Sequence, residues 1–323
     1  MLAIQNDLYP NHLGKEFGVV YNGLFNERKS YSKKTHFAEN YAIKIALNGV
    51  YGKSQSEYSF LYDKLYTYQT TVNGQLSLMM LIERILLLSD KITCIQSNTD
   101  GATFRFPKKY EDKINNICRY WEKHTKLELE EADYTKMFVK DVNNYSSVYS
   151  DGSVKLKGCF EIDKDFHKNS SNRIVPIAIA NYIVNNVSIK NTVINHMNGN
   201  DYTIGNQVIK NKGIFDFCIG LKASVSNYTL IEEGESNKVL KDKVLRFYIA
   251  NTKKKLLKNF TSGKSLGKTQ ATIKGWNVEM FMDYIKKEDY NIQYLYYIEE
   301  CRKIIDPVIK PSNNAKTEQF KLF

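Results

Sequence analysis

"SNTDGATFRF", residues 97–106, sets one carboxylate, Asp100, beside Gly101 in a short polar turn. The residues before it, Ile92-Thr93-Cys94-Ile95, and those after it, Ala102-Thr103-Phe104-Arg105-Phe106, are apolar or β-prone. The pattern predicts a β-hairpin with a carboxylate at its tip. One carboxylate does little chemistry. Asp100 is therefore either a turn residue or half of a site whose other half lies elsewhere.

The rest of the chain bounds the answer. Its 323 residues are enough for two or three units with real cores, and 25% charged against 42% hydrophobic residues describes a folded protein. A formal charge of +11 and a pI near 9.1 suit a polyanionic partner. The five cysteines (Cys94, Cys118, Cys159, Cys218, Cys301) lie far apart without a CxxC pair, which argues against a zinc site or a disulfide framework and fits a reducing cytoplasm. No stretch reads as a signal peptide. The apolar runs Leu76–Leu88 and Ile174–Val184 are too short or too interrupted to span a bilayer, so no membrane association is expected.

Near the N-terminus, Phe17, Val20, Tyr21, Leu24 and Phe25 recur at helical spacing through about residue 33. "SKKTH" breaks the pattern, and a second helix is expected from Phe37 to Tyr51, stopped by Gly52. If the two helices are antiparallel, Arg28 and Lys44 stand at the same height, with Lys33 nearer the break. Lys44, Asn48 and Tyr51, spaced i, i+4, i+7, share a face carrying a cation, an amide and a phenol. Such a face is a poor core stripe and a plausible wall for a triphosphate and a base pair; otherwise it is an ordinary solvated helix face.

Two motifs in register favour the first reading. "KIALNGVYG", residues 44–52, resembles motif B of the family B DNA polymerases, with Gly49 where the family usually has Ser. "SNTDG" resembles motif C, with Asn98 in place of its first Asp. The segment "KDVNNYSSVYSDGSVKLKGCFE", residues 140–161, is similar to the palm-to-thumb stretch of that family, and "YNIQYLYYIEECRKIIDPVI", residues 290–309, to its closing thumb helix. The likeness runs along nearly the whole chain and is nearest to bacteriophage enzymes.

The resemblance implies an α/β (α+β) right-hand fold: helical fingers over 15–54, a palm with an incomplete sheet over 55–165, a mostly helical thumb over 166–309 and a flexible tail over 310–323. It also implies template-directed DNA synthesis on primer–template DNA, with dNTP and Mg²⁺, in the cytoplasm (of a host, if viral). Asp100 would be the catalytic residue and a metal ligand. Arg28, Lys33 and Lys44 would meet the triphosphate, with Asn48 and Tyr51 beside the nascent pair. Thr99, Tyr145, Lys157, Lys253, Lys254 and Lys255 would contact DNA. Magnesium wants hard oxygen ligands and keeps several waters, so two carboxylates plus phosphates suffice for the family's two-metal chemistry.

The second carboxylate belongs to motif A, and no such motif is present. Residues 1–14, "MLAIQNDLYPNHLG", resemble the segment immediately C-terminal to motif A in phage relatives. Asp7 abuts Leu8-Tyr9-Pro10 without the intervening Ser, so it reads as a loop residue. Asp100 is then half of a two-carboxylate site. Its partner is expected on a separate N-terminal polypeptide that also carries the exonuclease domain. A non-catalytic DNA-binding remnant is the alternative; a metal-dependent nuclease would need more clustered acids near Asp100. Further on, nine Lys/Arg and no acid lie between Lys243 and Asn277, a salt-sensitive phosphate-binding run. "GKSLGKT", residues 263–269, mimics a P-loop, but its glycines are too close and no strand leads in. His167 has no apparent partner and no assigned role.

Overall fold

Residues 97–106 fold as the pattern predicts. In the computed structural model, β1 (Thr93–Ser97) and β2 (Ala102–Arg105) pair antiparallel, with Ser97 opposite Ala102 and a bulge at Ile95. The structure describes residues 1–163, 171–222, 226–234, 236–240, 244–261, 263–281 and 290–309. His167 and the tail over 310–323 lie outside these. The described residues form a mixed α+β chain with small antiparallel sheets and divide into two compact units, Met1–Asp133 and Tyr134 onward. No helix among them is long and apolar enough to cross a membrane.

The first unit begins with α1 (Leu2–Gln5), α2 (Gly14–Ser30) and α3 (Phe37–Ser54). Asp7 lies after α1 in a turn with φ +52°. The long α4 spans Lys64–Leu86. Its start is fixed by Asp63, whose carboxylate accepts the Tyr66 amide at 3.0 Å and the Asn11 amide at 2.8 Å. α4 leads into the hairpin, and α5 (Glu111–Thr125) comes after it. Leu81 and Ile85 of α4 pack with Ile92, Phe104, Ile114 and Trp121, burying one face of the hairpin. The Trp121 indole N–H donates to the Ser77 carbonyl at 2.6 Å.

Two expectations for this unit need correction. Arg28 and Lys44 are not level. Arg28 Nε donates to Asn40 Oδ1 and the Asn40 amide returns bonds to the Arg28 and Tyr31 carbonyls, so Arg28 faces Asn40. Lys44 then lies one helical turn, about 6 Å, deeper, because α2 ends at Ser30, three residues earlier than expected. "LELEE" (127–131), whose alternation predicts a half-buried strand, forms none. Leu127 and Leu129 do pack on the hairpin core while Glu128 and Glu130 point out, yet no ladder partner exists for the segment among the described residues.

The second unit opens with a three-stranded sheet, β3 (Tyr134–Asp141), β4 (Asn144–Tyr149) and β5 (Val154–Leu156), the last two joined at Asp151-Gly152, a dipeptide that predicts a hairpin turn. Helices α6 (Ile174–Asn185) and α7 (Ile189–Asn195) come next. The expected mostly helical thumb is then overturned. Residues 202–280 form strands: the hairpin β6 (Tyr202–Ile204) and β7 (Gln207–Ile209), then β8 (Ile219–Lys222), β9 (Ser226–Glu232), β10 (Lys238–Leu240), β11 (Val244–Ile249), β12 (Lys254–Phe260), β13 (Thr269–Ala271) and β14 (Val278–Met280). They pair as β10-β9-β12-β13 and β14-β11-β8. The β-branched and aromatic residues of stretches such as "VLRFYI" favour a pleated, half-buried surface over a helix. "GKSLGKT" contributes a short 3-10 turn and the start of β13, not a strand-to-helix phosphate loop. The last helix, α8 (Tyr294–Ile309), packs by Tyr297, Ile298, Cys301 and Ile305, the stripe its spacing predicts. The Tyr297 hydroxyl is buried between the Phe217 carbonyl, to which it donates at 2.8 Å, and the Ile249 amide, which donates to it at 2.9 Å. Trp276 stands edge-on to Tyr296, ring centroids 5.4 Å apart.

Candidate functional site

In the first unit, Asp100 sits at the exposed tip between β1 and β2. Asn98 shapes that tip. Its side-chain oxygen accepts the Asp100 amide at 3.1 Å, and its own amide donates to the Gly101 carbonyl at 2.9 Å. A short side-chain acceptor is what an Asx-turn needs, and an amide serves as well as a carboxylate. Asn98 therefore has a structural use at this tip. Thr99, beside Asp100, is exposed on the same tip. Asp100 offers one hard-oxygen ligand, which fits part of a magnesium shell and not the whole. No three carboxylate, imidazole or thiol groups converge for a metal among the described residues.

Lys44 and Asn48 are exposed on α3, and Tyr51 one turn on is half-buried. The Tyr51 hydroxyl bonds Thr71 Oγ1 at 2.8 Å, fastening α3 to α4. Ser54 Oγ reinforces this with Thr67 Oγ1 at 2.7 Å. The helix that carries Lys44 is thus bonded to the helix that feeds the Asp100 hairpin. Gly49 has nothing within 4 Å of a would-be Cβ, so the absent Ser leaves open space. Arg28 is committed to Asn40, and Lys33 reaches Glu130 at 3.8 Å while its neighbour Lys29 reaches Glu128 at 3.1 Å.

In the second unit, Tyr145 and Lys157 are brought together. The Lys157 amide donates to the Tyr145 carbonyl at 2.9 Å. Gly158 comes next at φ +64°, and an added Cβ would collide with the Asn143 carbonyl and the Asn144 side chain. Asn144 is the clamp. Its oxygen accepts the Cys159 amide at 2.7 Å and its NH₂ donates to both Asp141 oxygens at 2.8 and 2.9 Å. Hydrogen bonds from the Asn144 side chain, and after it the Asn143 amide, hold the Asp141 carboxyl below the usual carboxylate range. Lys155 lies over the Tyr145 ring, 5.8 Å from its centroid, so the strip presents two cations and a phenol. Lys155 escaped the sequence reading; the alternation of β5 that pairs it with Ser147 was the available signal.

The basic run fares unevenly. Lys253 pairs with Glu233 at 3.1 Å. Lys254 sits between Glu279 at 3.2 Å and Glu232 at 3.6 Å, with only 23% of its side chain exposed. Burial works against its charge, but the two glutamates outweigh burial and raise its pKa. Lys255 is exposed on the opposite side of β12 and has no ion pair among the described residues. These acids lie outside residues 243–277, and strand pairing carries them to the lysines.

No protein-family model matches this chain, and no curated protein matches it at a significant level. The resemblance to family B polymerases rests on the sequence motifs alone.

Proposed function

We propose that this chain supplies the fingers, the motif C hairpin and a duplex-binding surface of a template-directed DNA polymerase similar to family B. One observation carries the reading: α3, bearing Lys44, Asn48 and Tyr51, is hydrogen-bonded through Tyr51 and Thr71 to α4, which runs into the hairpin tipped by Asp100. In this reading Lys44, exposed on its helix face, meets the triphosphate as a compact charge, and Asn48 and Tyr51 border the new pair. Asp100 contributes one ligand to Mg²⁺, which when bound would stabilise the attacking and leaving oxygens. Tyr145, Lys155, Lys157 and Lys255 hold the DNA backbone through sequence-independent contacts.

This reading needs a second carboxylate, carried on a strand that lies beside the hairpin. Among the described residues β2 has a single ladder partner, β1, and a two-stranded hairpin is marginal by itself. Leu127 and Leu129 line the same core in strand-like alternation without a ladder. An added strand beside β2 would bring its carboxylate near Asp100.

The test is extension of a labelled primer by the purified chain, alone and mixed with a polypeptide that ends in the missing strand. Extension is expected only in the mixture, dependent on Mg²⁺ and abolished by Asp100→Asn. Extension by the chain alone would overturn the divided site. DNA binding without extension in any mixture would favour a non-catalytic DNA-binding chain.

A further inference from the structure

A groove of about 440 Å³ opens beside the Tyr145–Lys157 strip, inside the second unit. Its floor is aliphatic: Val154, Ile162 and Ile209 are each more than nine-tenths buried and belong to one small core with Ile177 and Ile204. Tyr149 forms one wall, its ring fixed against Tyr134 with centroids 5.0 Å apart. Lys155 and Lys157 edge the opening.

The groove is built rather than incidental. The tip of β6–β7 closes on the tip of β4–β5. Gly205, at φ +57°, lies so near the Gly152 carbonyl that no Cβ fits, and the Asn206 amide donates to the Asp151 carbonyl at 3.4 Å. On the other side Asp163 is held by Arg173 at 2.9 Å. Arg173 in turn is anchored in the interior by Asp216, which also bonds His196, both at 2.9 Å. Lys212 also reaches Asp163 at 3.7 Å, so two cations offset its negative charge at the rim.

We propose that this groove receives a single unpaired nucleotide of a bound DNA strand. Its volume falls within the roughly 300–1,000 Å³ of small-ligand sites and excludes a duplex. A fixed phenol beside an apolar floor suits the face of a base, and two cations at the mouth suit its phosphate. The Glu161 carboxylate at the margin accepts hydrogen bonds only, so it suits an exocyclic amino group. This proposal rests on the DNA-binding reading above and specifies which part of the DNA meets this unit.

The test compares two DNAs at one salt concentration by fluorescence anisotropy: a blunt duplex, and the same duplex with one unpaired terminal nucleotide. The overhang should bind about tenfold tighter, the scale of one stacked base. With 4-thiothymidine as the overhang, ultraviolet light should cross-link it to the 149–157 or 207–209 peptide. Gln207→Trp, at an exposed strand position on the edge, fills the groove and should erase the preference and the cross-link while blunt-duplex affinity stays. Binding to both DNAs without preference overturns this proposal alone, as does a preference that survives Gln207→Trp. Failure to bind either DNA overturns the functional reading, and this proposal with it.

Discussion

Lys254 and Lys255 are neighbours in sequence and opposites in structure. Lys254 points inward between Glu232 and Glu279, and Lys255 points out. Lys255→Ala should weaken DNA binding and reduce the salt slope by about one. Lys254→Ala should leave that slope nearly unchanged and cost about 1–2 kcal/mol of stability, since it strands two partly buried carboxylates. A salt series of binding isotherms beside urea melts separates them; a larger slope change at Lys254 would reverse the assignment. Nothing in "TKKKLLK" distinguishes the two lysines, because the partners of Lys254 lie more than 20 residues away and are carried to it by other strands. Asp216 is the other residue that sequence could not expose. It is fully buried, and burial opposes its charge, yet His196, the Lys212 amide and Arg173 outweigh burial and hold its pKa down. A depressed folded pKa stabilises fully above the unfolded value, about 3.9, and the stability drains as pH falls through the folded one. Asp216→Asn should cost about 1–3 kcal/mol at neutral pH, because Arg173 keeps Asp163 but loses its buried carboxylate partner. The gap between wild type and variant should narrow below about pH 4. Urea melts by circular dichroism at pH 7 and pH 3.5 check both; a gap that widens in acid would refute the linkage.

Among the elements, the hairpin was legible because "SNTDG" puts turn residues between two β-prone runs, a local signal that needs no partner. The α8 stripe was legible for the same reason. "LELEE" was half legible: its alternation holds, but a strand also needs a neighbour, which no local pattern supplies. The strands of residues 202–280 were readable, but the mostly helical thumb implied by the resemblance outweighed them; "IGNQ", with Gly205-Asn206 between short apolar runs, is a hairpin signal. The face of α4 away from the core raises a separate matter. Leu65, Tyr68, Val72, Leu76 and Met79 run along one helical stripe and are 47–65% exposed. An apolar stripe of that length promotes association. Leu76→Glu with Met79→Glu should sharply reduce self-association in sedimentation velocity while leaving far-ultraviolet dichroism unchanged and the unfolding free energy from urea melts within about 0.5 kcal/mol. Unchanged association would place the sticky surface elsewhere.

At the scale of the whole molecule, two units with separate cores predict two unfolding steps rather than one. The first unit draws on a smaller core and should unfold first. Asp216→Asn should move only the later step, and a single shared transition shifted whole by that variant would show that the units unfold together. The net charge of +11 is carried almost wholly by residues 134–323, so polyanions are attracted mainly to the second unit, and specificity for primer–template DNA depends on the placed groups rather than on charge.

The chain has two tryptophans, one in each unit. Trp121 is sealed in the first core with its N–H given to a carbonyl, and Trp276 is half-buried beside a tyrosine. Their emission should therefore differ, blue for the sealed indole and redder for the other. The protein carries its own pair of optical labels: Trp121→Phe leaves light from the second unit only, Trp276→Phe from the first.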